Sequence, residues 1–188
     1  FDTLNEKLLF VPKEPGSEEE EKKEKKEEKE GCNIQEIVAI LGHEIGHWAR
    51  NHLIKQLFIA QVHIFCFFFL YGYMMNNDEM FASFGFDTKQ PVIIGLILFS
   101  NIIGPVEHVI NFGQQYLTRK FEYEADRFAV EQGRGDDLGA ALVKISKENK
   151  SNMNPDPLWS VYHNSHPSLI ERLVAIKAHI ALVGKKTK

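Results

Sequence analysis

The fold is decided by an apolar stretch that carries two histidines one helical turn apart, Leu41-Gly42-His43-Glu44-Ile45-Gly46-His47-Trp48. In an α-helix positions i and i+4 share a face, so His43 and His47 lie side by side and can bind one zinc ion. Glu44 stands beside them without being a ligand, and it can take a proton from a water molecule that zinc activates. The motif therefore predicts Zn²⁺ as cofactor, His43 and His47 as ligands and Glu44 as the catalytic base of a hydrolase.

The motif fixes only three positions and can occur by chance, but the residues around it argue against a chance match here. Ile34, Val38 and Leu41 belong to an apolar lead-in that predicts a buried helix. Two histidines and a glutamate inside a buried helix need compensation, which a metal supplies. Gly42 and Gly46 each cost roughly 1 kcal/mol of helix stability against alanine, so they predict close approach of another backbone or a substrate. The alternative is a polar helix face with two exposed histidines.

A catalytic zinc site also needs a third protein ligand and one open position. The extended pattern His-Glu-x-x-His-x-x-Gly-x-x-His would supply that ligand nearby. Arg50 and Leu53 occupy the last two places of this pattern, and His52 is off register by one residue. The third ligand is therefore expected from a second helix.

The best source of that ligand is the acidic stretch at 121–126. On a helix Glu122 shares its face with Asp126 and two alanines, whereas Glu124 points to the side of Arg127, which is wetter. We therefore predict Glu122 as the ligand. Asp126, one turn on, is expected to hold a ligand histidine or to donate a proton. The alternative is an ordinary charged helix with i,i+4 pairs.

Composition sets only broad limits. The chain has 188 residues, a formal net charge of −4 and two cysteines, Cys32 and Cys66. The length allows one domain, and the cysteines form neither a C-x-x-C pair nor an expected disulfide. The charge carries no signal for nucleic acid, and we expect no nucleic-acid partner. Because the chain begins at Phe1 in mid-pattern, we expect a fragment of a longer protein.

Two apolar runs predict helices that cross a lipid bilayer, over 57–75 and 91–113. The alternative is a pair of buried core helices. The connector 76–90 is acidic and the outer flanks are basic, which puts the connector in the lumen and the flanks in the cytosol. Two crossings return the chain to its first side, so Glu122 can meet the histidines there. Gln61 and His63 inside the first span are expected to line a water-filled space or to form an interhelical hydrogen bond.

The remaining segments are predicted to lie in the cytosol or to be solvated. Residues 1–32 form an N-terminal segment with a Lys/Glu-rich loop at 13–30, and 33–56 is the zinc-motif helix. Residues 114–188 form a helical peptidase part with amphipathic helices over 117–132 and 136–150. Ser168 and Glu171 then form a capping-box pattern. His166 and Arg172 flank this helix start and are candidates to stabilise an oxyanion.

Three stretches together resemble the type I CAAX prenyl proteases, which are integral-membrane zinc metalloproteases. They are 41–48, the Arg119-Lys120-Phe121-Glu122-Tyr123-Glu124-Ala125-Asp126 run, and Ser165-His166-Pro167 with Glu171-Arg172-Leu173. The tryptophan after the second histidine favours this family over its relatives. The predicted fold is thus all-α: a C-terminal fragment of a multi-span zinc metalloprotease, with two spans and a cytosolic helical zinc domain.

The resemblance implies more than spacing does. It implies a ring of transmembrane helices around a water-filled chamber, in the endoplasmic reticulum membrane and the inner nuclear membrane, with the active site toward the cytosol. The substrates would be prenylated CAAX proteins that lose their last three residues, and some members also cut precursors farther upstream. The same motifs imply zinc ligation by His43, His47 and Glu122.

In this family Glu44 would be the base, and Asp126 would support the metal site or donate a proton. His166 and Arg172 would steady the tetrahedral intermediate. Two other readings stay open: a membrane quality-control protease of the HtpX type, and a zinc-stabilised membrane scaffold that binds a prenyl group without cleaving.

Overall fold

The computed structural model describes residues 31–186, and in that range the chain forms α-helices and no strands. The predicted charged loop at 13–30 lies outside the described residues. The all-α prediction is confirmed. The helices are α1 Ile34–Ala49, α2 His52–Met75, α3 Asp78–Ser83, α4 Val92–Glu131, α5 Gly135–Glu148, α6 Pro157–His163 and α7 Leu169–Lys186.

Helix α1 begins at a capping box and ends earlier than predicted. The Asn33 side chain accepts a hydrogen bond from the Glu36 amide at 2.8 Å, and Glu36 accepts one from the Asn33 amide at 2.7 Å. The single helix predicted over 33–56 is wrong at its end, since α1 stops at Ala49. Asn51 has a φ of 56°, a left-handed conformation that asparagine tolerates, and this turn separates α1 from α2.

The predicted burial of α1 applies to one face only. Ala39, His43 and Gly46 are buried, whereas Ile34 is 76 % exposed and Val38 is 39 % exposed. The small residues allow α1 to lie close against α4, so that face is the one covered. The large apolar side chains point away from this contact within residues 31–186.

Two helices, α2 and α4, are long and apolar enough to cross a membrane. Helix α2 contains the predicted span 57–75, and none of its most apolar stretch is buried in the structure. The polar His63 of this helix hydrogen-bonds Glu107 of α4, with 3.0 Å between Nε2 and Oε1. Of the two alternatives for His63, the structure thus contains the interhelical hydrogen bond.

Helix α4 runs for 40 residues without interruption. The prediction of a span at 91–113 followed by a separate helix over 117–132 is wrong in this respect. Pro105 lies inside the helix and does not end it. The same rigid element therefore carries the second apolar stretch and the acidic residues that follow it.

The core lies where α1, α4, α5 and α7 meet. It is formed by buried apolar residues from all four helices: Ala39, Ala129, Val130, Leu138 and Ile176. Helix α5 begins one residue before its predicted start, and α7 follows the expected capping box, in which the Ser168 amide donates to Glu171 at 2.7 Å. The connector 76–90 contains the short helix α3. This packing holds α7 against the ends of α1 and α4 that carry the candidate site.

Candidate metal centre

The three predicted ligands meet between α1 and α4. The Nε2 atoms of His43 and His47 are 3.2 Å apart. Glu122 Oε2 is 3.6 Å from His43 Nε2, and Glu122 Oε1 is 3.4 Å from His47 Nε2. His43 and Glu122 are buried, while His47 is half-buried. The structure thus brings Glu122, rather than Glu124, against the histidine pair.

The spacing of these atoms suits a zinc ion. Bonds of 2.0–2.1 Å at tetrahedral angles put neighbouring ligand atoms about 3.3 Å apart. The observed separations of 3.2, 3.4 and 3.6 Å are close to that value. Among residues 31–186 this is the only set of three His, Cys, Asp or Glu side chains whose ligand atoms all lie within 4.8 Å of one another.

Asp126 contacts the outer nitrogen of His43. Its Oδ1 is 2.9 Å from His43 Nδ1, which leaves Nε2 to face the candidate metal position. Arg172 donates two hydrogen bonds to the same carboxylate, from Nε to Oδ2 at 2.9 Å and from Nη2 to Oδ1 at 2.6 Å. Asp126 is only 1 % exposed. Of its two predicted roles, this placement favours holding the histidine over donating a proton to substrate.

Arg172 and His166 both lie near Glu122 Oε2 but differ in solvent exposure. The Arg172 side chain is nearly buried, and its Nη1 is 3.5 Å from Glu122 Oε2. The His166 ring is 64 % exposed, with Nδ1 3.1 Å from the same oxygen. His166 therefore remains open to a substrate, whereas Arg172 is enclosed by two carboxylates.

In the sequence Arg119 counts as a basic flank of the second span and as part of the 119–126 run, yet in the structure it supports the turn that carries His166. Arg119 is buried and donates to the His166 carbonyl at 3.1 Å and to the Ser160 hydroxyl at 3.2 Å. Its Nη2 also donates to Glu171 at 2.8 Å. This hydrogen bond connects Glu171, the capping-box glutamate of α7, to α4. Arg119 lies inside the helix predicted over 117–132, and its partners at 160, 166 and 171 are too far away in sequence to be identified from spacing.

Burial and neighbouring charges shift the pKa values of Glu122 and Asp126 in opposite directions. Burial alone raises the pKa of Glu122, but hydrogen bonds from His166 and His47 and the Arg172 charge hold that pKa below its usual value. Burial likewise raises the pKa of Asp126, and hydrogen bonds to His43 and Arg172 outweigh it and lower the pKa. Both carboxylates are therefore ionised near neutral pH, as a ligand and its supporting acid require.

Two residues of the site, Glu44 and His166, are exposed to solvent. Glu44 is exposed on α1, next to His43 in sequence. The hydrogen bond to Glu122 raises the pKa of His166; desolvation opposes this, and the nearby Glu44 charge adds to the increase. Glu44 and His166 thus share the side of the cluster that water can reach.

Sequence reasoning missed His52 as part of the site. His52 is 1 % exposed, and its Nδ1 is 3.1 Å from His47 Nδ1. Its Nε2 is 3.1 Å from Glu124 Oε2. Glu124 was expected on a wetter side of the helix with Arg127 and Glu131. Arg127 does pair with Glu131 at 2.9 Å, and Glu124 is 29 % exposed and reaches His52. The left-handed turn at Asn51 folds His52 back toward α1, and spacing within one continuous helix cannot anticipate that turn.

Comparison with known proteins identifies the relatives of this chain. It is 43 % identical to a human CAAX prenyl protease 1 homolog, over 94 % of this chain and 40 % of the relative. It is 49 % identical to an Arabidopsis thaliana CAAX prenyl protease 1 homolog, over 77 % of this chain and 34 % of the relative. A crystal structure of S. mikatae Ste24p superposes with a TM-score of 0.67 at 36 % identity, covering 74 % of this chain and 36 % of that one.

The chain therefore spans at most 40 % of the length of these relatives. The sequence profile of peptidase family M48 matches residues 26–180. That range contains the histidine pair, the glutamate brought against it and the His166 turn. The chain belongs to peptidase family M48.

Proposed function

We propose that this chain carries the zinc centre of a metalloendopeptidase that removes the last three residues of prenylated CAAX proteins. The observation that carries the proposal is the meeting of Glu122 with His43 at 3.6 Å and with His47 at 3.4 Å. The substrate class is inferred from the similar proteins, which are named CAAX prenyl protease 1 homologs. Membership of peptidase family M48 supports peptide hydrolysis as the reaction.

We assign His43, His47 and Glu122 as zinc ligands and Glu44 as the base. A bound zinc ion polarises a carbonyl and lowers the pKa of water to about 7. Glu44 accepts a proton from the attacking water as the water oxygen bonds to the scissile carbonyl carbon. Glu44 then delivers that proton to the leaving amide nitrogen as the carbon–nitrogen bond breaks. The second proton of the attacking water passes from the new carboxylic acid to the released amine, so the products are a prenyl-cysteine carboxylate and a tripeptide with a protonated amino terminus.

His166 and Arg172 receive different roles in this proposal. His166 is exposed beside Glu122, so its imidazolium can donate a hydrogen bond to the oxyanion that forms on the carbonyl oxygen. Arg172 was predicted to share that task. Its two hydrogen bonds to Asp126 occupy Nε and Nη2 and favour a positioning role instead, while Nη1 lies 3.5 Å from Glu122 Oε2.

The proposal extends to the surroundings of the site. The exposed apolar faces of α2 and of the first part of α4 suit a lipid bilayer as partner. We propose two crossings over 57–75 and 91–113, with the metal centre toward the cytosol. The family resemblance adds an endoplasmic reticulum location, extending to the inner nuclear membrane, and upstream cleavage of precursors.

The deciding experiment substitutes Glu44→Gln in the full-length protein and supplies a farnesylated CAAX peptide. We expect turnover to fall by about 10² to 10⁴-fold, because the amide cannot accept the proton from water. We expect zinc content to stay at one ion per chain. The exposed Glu148 provides a matched control, and Glu148→Gln should leave turnover unchanged.

The outcomes separate the competing functions. Binding of the farnesylated peptide without cleavage by the wild-type protein, unchanged in Glu44→Gln, would favour a zinc-stabilised scaffold and contradict the peptidase proposal. Equal cleavage of a non-prenylated peptide would favour a quality-control protease of the HtpX type. Release of the terminal tripeptide from the farnesylated peptide alone is the expected result.

A further inference from the structure

The outer nitrogen of His47 has a buried partner that the proposed chemistry does not use. His47 Nδ1 lies 3.1 Å from His52 Nδ1. His52 Nε2 in turn lies 3.1 Å from Glu124 Oε2. The three side chains form one line that runs from the candidate metal position to the surface of α4.

The His52 ring is fixed in place on its other sides. It is 1 % exposed and stacks on Phe121, with ring centroids 4.3 Å apart and planes at 11°. The Glu124 carboxylate at the end of the line is 29 % exposed and lies 3.9 Å from Lys120 Nζ. One end of the line is therefore dry and packed, while the other is accessible to solvent.

Hydrogen-bond chemistry allows one arrangement of protons along this line when a metal is bound. A neutral imidazole has one N–H and one acceptor nitrogen. If His47 Nε2 binds zinc, His47 Nδ1 carries the hydrogen and donates to His52 Nδ1. His52 Nε2 then carries a hydrogen and donates to Glu124. Asp126 contacts His43 Nδ1 in the corresponding way, so each ligand histidine has a carboxylate behind it, directly for one and through His52 for the other.

We propose that His52 and Glu124 are positioning residues that set the tautomer and ring orientation of His47 and thereby raise its affinity for zinc. Partners of this kind typically change metal affinity by about 10 to 100-fold. The proposal rests on zinc binding by His43, His47 and Glu122. It assigns a role to two residues that the ligand motif does not contain.

The test compares His52→Leu with His52→Asn in the full-length protein, measuring zinc affinity by competition with a chelator. Leucine fills similar space but accepts no hydrogen bond, so we expect an affinity loss of about 10 to 100-fold. The Asn oxygen can lie near the position of Nδ1 and accept from His47, so we expect His52→Asn to recover much of the loss. His179→Leu, on α7, is the matched control and should retain wild-type affinity.

A second variant keeps the test decisive if His52→Leu does not fold. Glu124→Leu removes the distant acceptor from a partly exposed position, and we expect a smaller loss in the same direction. Equal losses of zinc affinity in His52→Leu and His52→Asn would mean that His52 acts only through packing and would overturn the proposal. Unchanged zinc affinity in His52→Leu, His52→Asn and Glu124→Leu would also overturn it. If the wild-type protein did not bind zinc, both this proposal and the proposed function would be overturned.

Discussion

The Asp126 carboxylate joins two groups that are both nearly buried. It lies 2.9 Å from His43 Nδ1 and receives the two hydrogen bonds of Arg172. A buried guanidinium that loses its carboxylate partner keeps its desolvation penalty without the compensating attraction. Asp126 therefore links the stability of the α4–α7 contact to the orientation of a candidate ligand.

Substituting Asp126→Ala is expected to weaken both properties. The free energy of unfolding of the zinc-free protein should fall by about 3 to 5 kcal/mol, because Arg172 is left buried without its partner. Zinc affinity should fall by about 10 to 100-fold, because His43 loses the group that orients it. Denaturant unfolding in detergent and chelator competition measure the two effects.

The half-exposed Asp137, which pairs with Arg134 at 3.6 Å, gives a matched control. Asp137→Ala should change the unfolding free energy by less than about 1 kcal/mol, as is typical of surface ion pairs. A large stability loss in Asp126→Ala without any change in zinc affinity would limit Asp126 to a structural role.

Single residues of the site differ in how far the sequence predicts them. Glu122 could be chosen over Glu124 because helix α4 is regular there, so counting along one face identifies the side chain that points inward. His52 could not be identified, because its contact depends on the left-handed turn at Asn51. Periodicity describes residues within one element and does not describe how a turn reorients the next.

At the scale of elements, α1 and α4 approach through small residues. A Cβ built on Gly46 would lie 3.0 Å from Phe128 Cβ and 3.1 Å from both the Cα and the carbonyl oxygen of Ala125. A Cβ on Gly42 would lie 3.8 Å from Ala129 Cβ, an ordinary contact. The sequence expectation that these glycines admit another backbone is therefore met at Gly46 in particular.

This difference predicts opposite effects for two alanine substitutions one turn apart. Gly46→Ala should lower the free energy of unfolding by about 1 to 2 kcal/mol, because crowding against the α4 backbone exceeds the gain in helix propensity. It should also lower zinc affinity, since α1 carries both histidines and must shift away from Glu122. Thermal unfolding of the zinc-free protein and chelator competition provide the measurements.

Gly42→Ala serves as the matched control for that prediction. It should raise stability by up to about 1 kcal/mol, the difference in helix propensity between the two residues. If both substitutions stabilised the protein equally, the close α1–α4 approach at Gly46 would be contradicted.

The elements themselves were predicted unevenly. The start of α1 near residue 33 was predicted, and the capping box between Asn33 and Glu36 accounts for it in the structure. Helix α4 was divided in two because its composition changes from apolar to charged near residue 114. The composition of a segment indicates whether its surroundings are apolar or aqueous, and one continuous helix can extend from one environment into the other.

At the scale of the whole molecule, the position of the candidate site constrains how often the chain can cross a membrane. Helix α1 precedes the first stretch, and the Glu122 end of α4 follows the second. The observed contact of His43 and His47 with Glu122 requires both ends to lie on the same side of any membrane that the chain crosses. Two crossings satisfy this requirement, whereas a single crossing would separate the ligands.

The two-crossing arrangement predicts opposite accessibility for two exposed positions, Thr88 in the connector and Ser151 after α5. Each is changed to cysteine in a full-length protein whose other cysteines, including Cys32 and Cys66, are replaced by alanine. In sealed endoplasmic reticulum vesicles with the cytosolic face outward, an impermeant maleimide should label Ser151→Cys at once. It should label Thr88→Cys only after the vesicles are opened with detergent, because the connector faces the lumen. Immediate labelling of both positions would mean that neither apolar stretch crosses the bilayer and would contradict the proposed topology, while the metal centre, which depends only on the α1–α4 contact, would remain.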